Sequence, residues 1–246
     1  MPAGTSLSAY SGPCTIKADT VIDGKTINCG LSITAGKVTI SRSKVNGRID
    51  VINDASLAIS DSEVDGQNVQ APAIGYRNLT VQRVDVHNAQ HGILCEDNCL
   101  IKDSYVHIEY IPAGAAWHMN AFLSNGGADN TLIHNTLRCS VPITQNDGGC
   151  TADAAIFGDF GPNNRYTFDN NLFLASTQIS YCAYGGTDPG KPYGTKVSGI
   201  IFRNNVFEPG TNSKCGLYGT VTSFDTDAAG NVWSNNVYTN GKAVTP

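Results

Sequence analysis

Apolar and polar residues alternate along most of the chain in short runs that recur. One run reads Thr167-Phe-Asp-Asn-Asn-Leu-Phe173, and related runs surround Phe202 and Trp233. Each run has an apolar residue, a polar residue, a pair of asparagines and then apolar residues again. Alternation with a period of two predicts β-strands. The Asn pair predicts a tight bend, because Asn tolerates the left-handed backbone conformation.

The runs recur at two spacings. We take the apolar residue two positions before each polar pair as a marker. The first four markers lie 19 to 22 residues apart, and the later ones lie 31 to 35 residues apart. A unit of this kind cannot bury its own apolar face, but it can do so when stacked on similar units. The markers are Ile40, Ile59, Val81, Ile101, Ile133, Phe168, Phe202 and Trp233.

The repeats therefore predict a parallel β-helix that occupies the whole chain as a single domain. We expect an N-terminal cap over residues 1–20, coils over residues 21–238 and a C-terminal tail over residues 239–246. The repeated asparagines should stack in two columns, one containing Asn170 and the other Asn171. A β-sandwich is the alternative, but it would show hairpin turns in place of one corner sequence at coil spacing.

The repeated run resembles that of the pectate-lyase-like superfamily of right-handed parallel β-helices. The resemblance extends over roughly residues 21–238. It implies an all-β, single-domain right-handed parallel β-helix (a solenoid) of about eight to nine coils, with an Asn ladder and long loops on one face. It specifies the fold far better than the activity, because that superfamily contains lyases, hydrolases, epimerases and adhesins.

Composition narrows the class of partner. The chain has 246 residues, of which 15% are charged, and its net charge is −5. This negative balance argues against nucleic acid as a partner. No stretch resembles a transmembrane span, so we expect no membrane partner. We expect a monomer.

The eight cysteines predict the compartment. They form plausible local pairs, and they lack the Cys-x-x-Cys spacing of metal sites. An even count of this kind predicts four disulfides in a secreted, extracellular protein. Other connectivities and a zinc site remain open as alternatives. The local pairs are Cys14 with Cys29, Cys95 with Cys99, Cys139 with Cys150, and Cys182 with Cys215.

Insertions distinguish the second half of the chain. In a solenoid, insertions fall on one face, which is often the binding face. The inserted stretches carry aromatic residues that suit stacking on sugar rings, although for any one of them filling a loop core is the better explanation. We predict long loops over residues 88–98, 109–130, 140–164, 175–196 and 209–226. The aromatic residues are Trp117, Phe160, Tyr181, Tyr184, Tyr193 and Tyr218.

All five histidines lie between residues 87 and 134. His87 and His107 occupy the same register of successive repeats, so they should stack on one face. Glu109 should lie on the same side as His107, since strand side chains alternate, and His134 should point outwards. His87 and His107 could hold a metal, but the spacing offers no third ligand.

This cluster predicts a catalytic groove. Histidine suits acid–base catalysis because its pKa is near neutral. For any single histidine, a surface group that satisfies loop backbone is the better explanation, and the prediction rests on the cluster as a whole. The candidate catalytic residues are His118, His107, Glu109, Tyr110 and His91.

A second group of candidates is acidic. Asp147, Asp153 and Asp159 could bind calcium, the candidate metal, or supply paired carboxylates for glycoside hydrolysis. Asp153 and Asp159 are equally well explained as turn formers or backbone caps. The sequence does not identify a metal.

The segment Trp117-His-Met-Asn-Ala-Phe-Leu-Ser-Asn-Gly-Gly127 is similar to a segment of secreted bacterial β-helix proteins. That resemblance implies His-x-Asp, but Asn120 stands where the acid is expected, which puts catalysis by that acid in doubt. The polygalacturonase motifs and the pectate-lyase arrangement of acids and Arg are absent. The candidate substrate-binding residues are Trp117, Asn120, Tyr184, Lys191 and Arg203.

The leading hypothesis is a secreted polysaccharide lyase that cleaves a uronate-containing glycan by elimination. It assigns His118 as the base, Lys191 or Arg203 as the group that neutralises the uronate carboxylate, and Tyr110 as the acid. A glycoside hydrolase on the same scaffold would pair Glu109 with Asp153 or Asp159. A third hypothesis is a non-catalytic carbohydrate-binding or cell-surface β-helix. Each of these has a polysaccharide as its partner.

Overall fold

The structure is a computed structural model that describes residues 4–246, so the first three residues of the predicted cap lie outside the described part. Residues 4–246 form strands, turns and bends, without any helix. The strands join in one 24-stranded sheet. The first twelve are β1 Ser8–Ala9, β2 Thr15–Ile16, β3 Thr20–Asp23, β4 Lys25–Ile27, β5 Leu31–Ile33, β6 Lys37–Ser41, β7 Lys44–Asn46, β8 Ile49–Val51, β9 Ser56–Ser60, β10 Glu63–Gln82, β11 Asp85–Lys102 and β12 Tyr105–Ile108. The others are β13 His118–Ser124, β14 Gly127–Ile133, β15 Thr136–Cys139, β16 Gly149–Ile156, β17 Asn163–Asp169, β18 Leu172–Phe173, β19 Tyr181–Gly185, β20 Val197–Arg203, β21 Val206–Phe207, β22 Gly219–Thr222, β23 Val232–Ser234 and β24 Val237–Tyr238.

The strands follow one another through three faces in a fixed order. The β12 face contains β1, β4, β7, β12, β15, β18, β21 and β24, with the first residues of β10 and β11. The β13 face contains β2, β5, β8, β13, β16, β19 and β22, with the middle of β10 and β11. The β14 face contains β3, β6, β9, β14, β17, β20 and β23, with the ends of β10 and β11. Pairing within each face is parallel. The predicted all-β class with parallel strands is confirmed, and the arrangement is compatible with a β-solenoid.

The bend between the β14 face and the β12 face repeats the polar pair seen in the sequence. The first residue of each pair has a left-handed backbone, with φ between 46° and 57°. Five of these eight residues are Asn or Asp, which accept this conformation more readily than most others. The residues in this position are Arg42, Asp61, Arg83, Asp103, His134, Asn170, Asn204 and Asn235. The marker Ile133 is therefore wrong by one residue, because the buried Leu132 is the residue that pairs with Ile101 and Phe168.

The residue that follows each of these left-handed residues points into the protein. It is apolar at Val84, and at the other seven bends it is a Ser or Asn whose polar group is buried. The Nδ2 of Asn171 donates a hydrogen bond to Asn205 Oδ1 at 3.1 Å, and Asn205 Nδ2 donates to Asn236 Oδ1 at 2.9 Å. Asn135 makes the same bond to Asn171 at 3.0 Å. Each amide thus satisfies the next, which removes the cost of burying a polar group.

Alternate residues of the strands fill a continuous apolar core. Its aromatic members stack between neighbouring strands, with ring centroids 4.3 Å apart for Phe168 and Phe202 and 4.4 Å apart for Phe173 and Phe207. The four predicted cysteine pairs are joined as disulfides. Four disulfides fit an extracellular protein. No helix in residues 4–246 is long and apolar enough to cross a membrane.

The long loops of the prediction are wrong in one respect, because every one of those stretches contains strand residues. Residues 140–164, for example, contain β16. The side chains of this strand are buried on both sides of the sheet, with Ala152, Asp153, Ala154 and Ala155 all at 0% exposure. A strand buried on both sides shows no polar–apolar alternation, so the pattern that revealed the other strands is missing here.

Candidate functional site

The outer surface of the β13 face carries an apolar floor that is separate from the core. Leu94, Leu123, Ala155 and Tyr184 lie side by side in register on four neighbouring strands. Leu123 and Ala155 form a second apolar cluster with Ala152, against which Leu94 and Tyr184 pack. Small alanines between larger neighbours lower the floor at β16.

Four aromatic side chains cross this floor, and we call Phe157, Tyr181, Tyr184 and Tyr218 the aromatic array. The ring centroids of Phe157 and Tyr184 are 5.1 Å apart, and those of Tyr184 and Tyr181 are 5.4 Å apart. Tyr218 extends the array, with its centroid 6.0 Å from that of Tyr181. Tyr218 is 64% exposed, so its ring is free to contact a ligand.

Two of the predicted catalytic histidines lie at one edge of the array. His91 is buried, and Asn120 on the neighbouring strand donates its amide to His91 Nδ1 at 3.4 Å. Burial, helped by the nearby His118, lowers the pKa of His91 to about 4. His91 is therefore neutral at physiological pH. His118 is exposed at the start of β13, and its carbonyl accepts a hydrogen bond from Gln90 Nε2 at 3.3 Å.

His118 opens into a small cleft of about 100 Å³. Asp147, Gln178 and Tyr218 also line this cleft. The cleft thus brings a histidine, a tyrosine, an amide and a carboxylate together beside the array. Within the described chain, no Lys or Arg lines it.

The opposite edge of the array carries an ion pair. Lys191 Nζ lies 2.9 Å from Asp159 Oδ1 and 5.2 Å from the centroid of the Phe157 ring.

Burial, with smaller effects of Tyr181, Asp188 and Tyr218, raises the pKa of Tyr184 to about 12. Tyr184 therefore stays protonated and can donate a hydrogen bond.

His107 and Glu109 lie on a different surface, the outside of the β12 face. His107 Nε2 lies 3.0 Å from Asp85 Oδ1, and its Nδ1 lies 3.2 Å from Glu109 Oε2. Burial alone would lower the pKa of His107, but the hydrogen bonds and charges of these two carboxylates outweigh it and raise the pKa. The predicted stacking of His87 and His107 is confirmed, with centroids 5.3 Å apart. Because both ring nitrogens of His107 already have partners, the cluster fits a structural role better than proton transfer.

Asp153 points into the core. It is fully buried, and its Oδ1 accepts a hydrogen bond from the Cys139 backbone N–H at 2.6 Å, while Oδ2 has no hydrogen-bond partner among residues 4–246. Burial raises its pKa well above the usual range, so the side chain is a neutral acid. It lies within 4.8 Å of the sulfur atoms of Cys182 and Cys215. Their disulfide removes both thiolates, so these three residues do not fit a metal site.

The predicted carboxylate pair of a hydrolase does not form. Glu109 bonds to His107, and its Oε1 lies 2.8 Å from Arg138 Nε on the β12 face. Asp159 pairs with Lys191 beside the β13 face, and Asp153 is inside. The three Asp residues also do not form the predicted calcium cluster. In residues 4–246, neither Asp147 nor Asp159 belongs to a group of three close metal-ligating side chains.

The remaining predicted site residues are dispersed. Arg203 forms an ion pair with Asp169 at the end of β20, on the β14 face, with its Nη2 2.8 Å from Asp169 Oδ2. Trp117 packs against the core, so the loop-core interpretation applies to it. Tyr110 is 45% exposed in the segment after β12.

Sequence reasoning missed the floor and the cleft that Tyr218 and His118 both line. Tyr218 was visible only as one loop aromatic among several, because its distance to His118 is 100 residues along the chain. Tyr181 and Tyr184 lie three residues apart in one inserted stretch, and this closeness was a signal in the sequence that could have indicated the aromatic array. A comparison with protein families, with curated proteins and with solved structures gives no match for this chain.

Proposed function

We propose that the chain is a secreted glycan-binding protein of the right-handed parallel β-helix type, which holds a polysaccharide across the outer surface of the β13 face. The observation that carries this proposal is the aromatic array on its apolar floor. Tyrosine rings offer flat apolar surfaces to the C–H faces of sugar rings and hydroxyls to their polar edges. Such an array matches a chain of linked sugars better than it matches a small isolated ligand.

The surroundings of the array support binding to sugar hydroxyls. The amide of Gln178 and the hydroxyl of Tyr218 line the cleft at one edge. Asn120 is buried, with its Nδ2 directed at His91 and its Oδ1 bonded to the backbone N–H of Ala152 at 3.1 Å, so it holds His91 in place and does not itself reach a sugar. The polar groups that meet the ligand are therefore those of Gln178 and Tyr218 in the cleft.

The test is gel retardation of the purified protein in a panel of neutral, acidic and basic polysaccharides. Wild type should be retarded by at least one polymer. Tyr218→Ala should weaken that retardation about tenfold, since loss of one stacking ring costs roughly 1 kcal/mol or slightly more. Tyr218 is exposed, so this change should leave the fold intact.

Tyr105→Ala is the matched control. Tyr105 lies on the β12 face, where its ring stacks on His107 with centroids 4.2 Å apart. This variant should be retarded like wild type. Equal retardation of the Tyr218 and Tyr105 variants would refute the assignment of the β13 face.

Elimination from a uronate polymer is a second candidate, and the shared cleft of His118 and Tyr218 favours it. His118 would take the proton next to the uronate carboxylate. A double bond would form as the glycosidic C–O bond breaks, and Tyr218 would protonate the leaving oxygen. This chemistry also needs a group that neutralises the carboxylate. Lys191 is held by Asp159 and Arg203 lies on another face, so we rank binding first.

The two candidates differ in their response to Tyr218→Phe. This variant keeps the ring and removes the proton donor. If the protein is a lyase, absorbance of the unsaturated product at 235 nm should appear with wild type and fall by about two orders of magnitude in the variant. If the protein only binds, no absorbance at 235 nm appears with wild type or with the variant, and Tyr218→Phe still binds the polymer.

A further inference from the structure

A second and larger cleft adjoins the aromatic array. It has a volume of about 520 Å³, within the range of ligand pockets in proteins. Leu94 belongs to both the cleft and the floor of the array. A glycan held on the β13 face can therefore continue into this cleft without leaving the surface.

The floor of this cleft consists of closely packed backbone. A Cβ on Gly126 would lie 2.4 Å from the backbone N of Gly161, and a Cβ on Gly127 would lie 1.8 Å from the carbonyl oxygen of Glu96. Both glycines also have positive φ, at 127° and 137°. No side chain can rise from these two positions, so the cleft stays open.

Aromatic residues flank the glycine floor. Phe160 is 82% exposed, and its backbone is held in place by a hydrogen bond from its N–H to the carbonyl of Asn125 at 2.8 Å. Tyr76 lines the same cleft, and its hydroxyl accepts a hydrogen bond from Arg48 at 3.0 Å. An anchored phenyl ring that exposes most of its surface is costly in water and is suited to contact with a ligand.

The charged groups of the cleft are carboxylates. Glu96 and Asp97 line it, while no Lys or Arg of the described chain does so. Arg77, outside the lining, pairs with Glu96 and offsets its charge. Asp97 belongs to no ion pair within residues 4–246, and its Oδ1 accepts a hydrogen bond from the backbone N–H of Ala128 at 2.9 Å. Aromatic faces beside a carboxylate are the combination that recognises organic ammonium ions.

We infer that this cleft is a subsite for a protonated amino sugar of the bound polysaccharide. The inference rests on the proposed function and specifies its ligand. The ammonium group lies near Asp97 and faces Phe160, while the sugar ring lies over the glycine floor. A uronate would place its carboxylate beside Asp97 and be repelled.

The experiment is calorimetric titration with the hexamer of glucosamine and with the N-acetylated hexamer, at mildly acidic pH and low salt. The two probes share one sugar backbone and differ in charge. Wild type should bind the glucosamine hexamer about tenfold more tightly, a preference that falls as salt is added. Asp97→Asn keeps the acceptor for Ala128, removes the charge and should abolish this preference. Phe160→Ala should weaken binding of the glucosamine hexamer by a similar factor.

Two controls match these changes elsewhere on the molecule. Asp227→Asn removes the same charge from an exposed position near the C-terminal end, and Val21→Ala trims a residue that is 77% exposed on the β14 face. Both should bind like wild type. The inference is overturned if wild type does not prefer the glucosamine hexamer, or if Asp97→Asn keeps the preference.

The outcomes separate this inference from the proposed function. Binding of the N-acetylated hexamer that Tyr184→Ala weakens, without any preference for the amine, would support the β13 face and overturn the amino-sugar subsite. Loss of the preference in Asp97→Asn with intact binding of the N-acetylated hexamer would support both.

Discussion

Two buried titratable side chains, His91 and Asp153, lie on strands of the β13 face and point to opposite sides of the sheet. His91 lies beneath the outer surface next to Asn120, and Asp153 lies in the core beside the Cys139 backbone. Both are neutral in the folded protein, because burial disfavours the charged form. Their effects on stability therefore have opposite dependence on pH.

Asp153→Asn tests the buried acid. The pKa of Asp153 is higher in the folded protein than in the unfolded chain, so stability is lost as pH rises from about 4 towards the folded value, by roughly 1.4 kcal/mol per pH unit. Asn has no proton to lose and keeps an acceptor for the Cys139 N–H. Melting temperatures should therefore be similar near pH 4 and should favour the variant increasingly towards alkaline pH. A difference that does not change with pH would contradict the buried acid.

His91→Asn tests the buried histidine. The folded pKa of about 4 lies below the unfolded value of about 6.5, so stability is full above pH 6.5 and is lost as pH falls towards 4. The loss amounts to roughly 3 kcal/mol. Asn places an acceptor near the position of Nδ1 and does not titrate. Urea unfolding should show a shallower loss of stability between these pH values in the variant, and an unchanged slope would show that His91 is not the buried neutral group.

The column of asparagines is the element that fixes the bend between the β14 and β12 faces. Asn205 Oδ1 accepts hydrogen bonds from both the backbone N–H and the side chain of Asn171, and its Nδ2 donates to the Phe168 carbonyl at 2.9 Å. Asn205→Ala leaves these buried groups unpaired and should destabilise the protein by about 3 kcal/mol or more in urea unfolding.

Asn204→Gly is the control for that change. Asn204 is exposed, with φ at 57°, a conformation that Gly adopts freely. The control should change stability by less than about 1 kcal/mol. Similar losses in the two variants would mean that the buried amide bonds do not stabilise this bend.

The elements that could be predicted from the sequence are those with one exposed side. Strands such as Val38–Ile40 alternate, and the polar pair at each bend marks where the strand ends, so both were visible in a single repeat. The strand β16 was not predictable, because burial on both sides removes the alternation. The inward orientation of Asp153 follows from that strand and had no local signal.

Strand periodicity also made part of the candidate site predictable. Strand periodicity placed His107 beside Glu109 and stacked it on His87, and the structure confirms both contacts. It could not reveal that both nitrogens of His107 are already bonded. Nor could it place Tyr218 beside His118, since this proximity depends on how inserted segments fold back over neighbouring strands.

At the scale of the whole molecule, four disulfides hold the chain, and their exposure differs. Cys14 is exposed and Cys29 is half-buried, whereas the other six cysteines are buried. Thiol exchange needs access of the attacking thiolate to the sulfur. Mild reduction of the folded protein followed by alkylation should therefore label Cys14 and Cys29 first. Mass spectrometry of the peptides checks this, with full labelling in denaturant as the control, and early labelling of Cys182 or Cys215 would contradict it.

The outer surface of the β13 face is the central claim, and the most direct measurement is the retention of wild type and of the Tyr184→Ala/Tyr218→Ala double variant on the same polysaccharide gels. The double variant should melt lower than wild type, because Tyr184 packs on the floor, and it should be folded at the temperature of the gel. We predict that at least one polysaccharide retards wild type and that the double variant migrates almost as it does without polymer. Retardation of both proteins to the same extent, or of neither by any polymer in the panel, would contradict the claim.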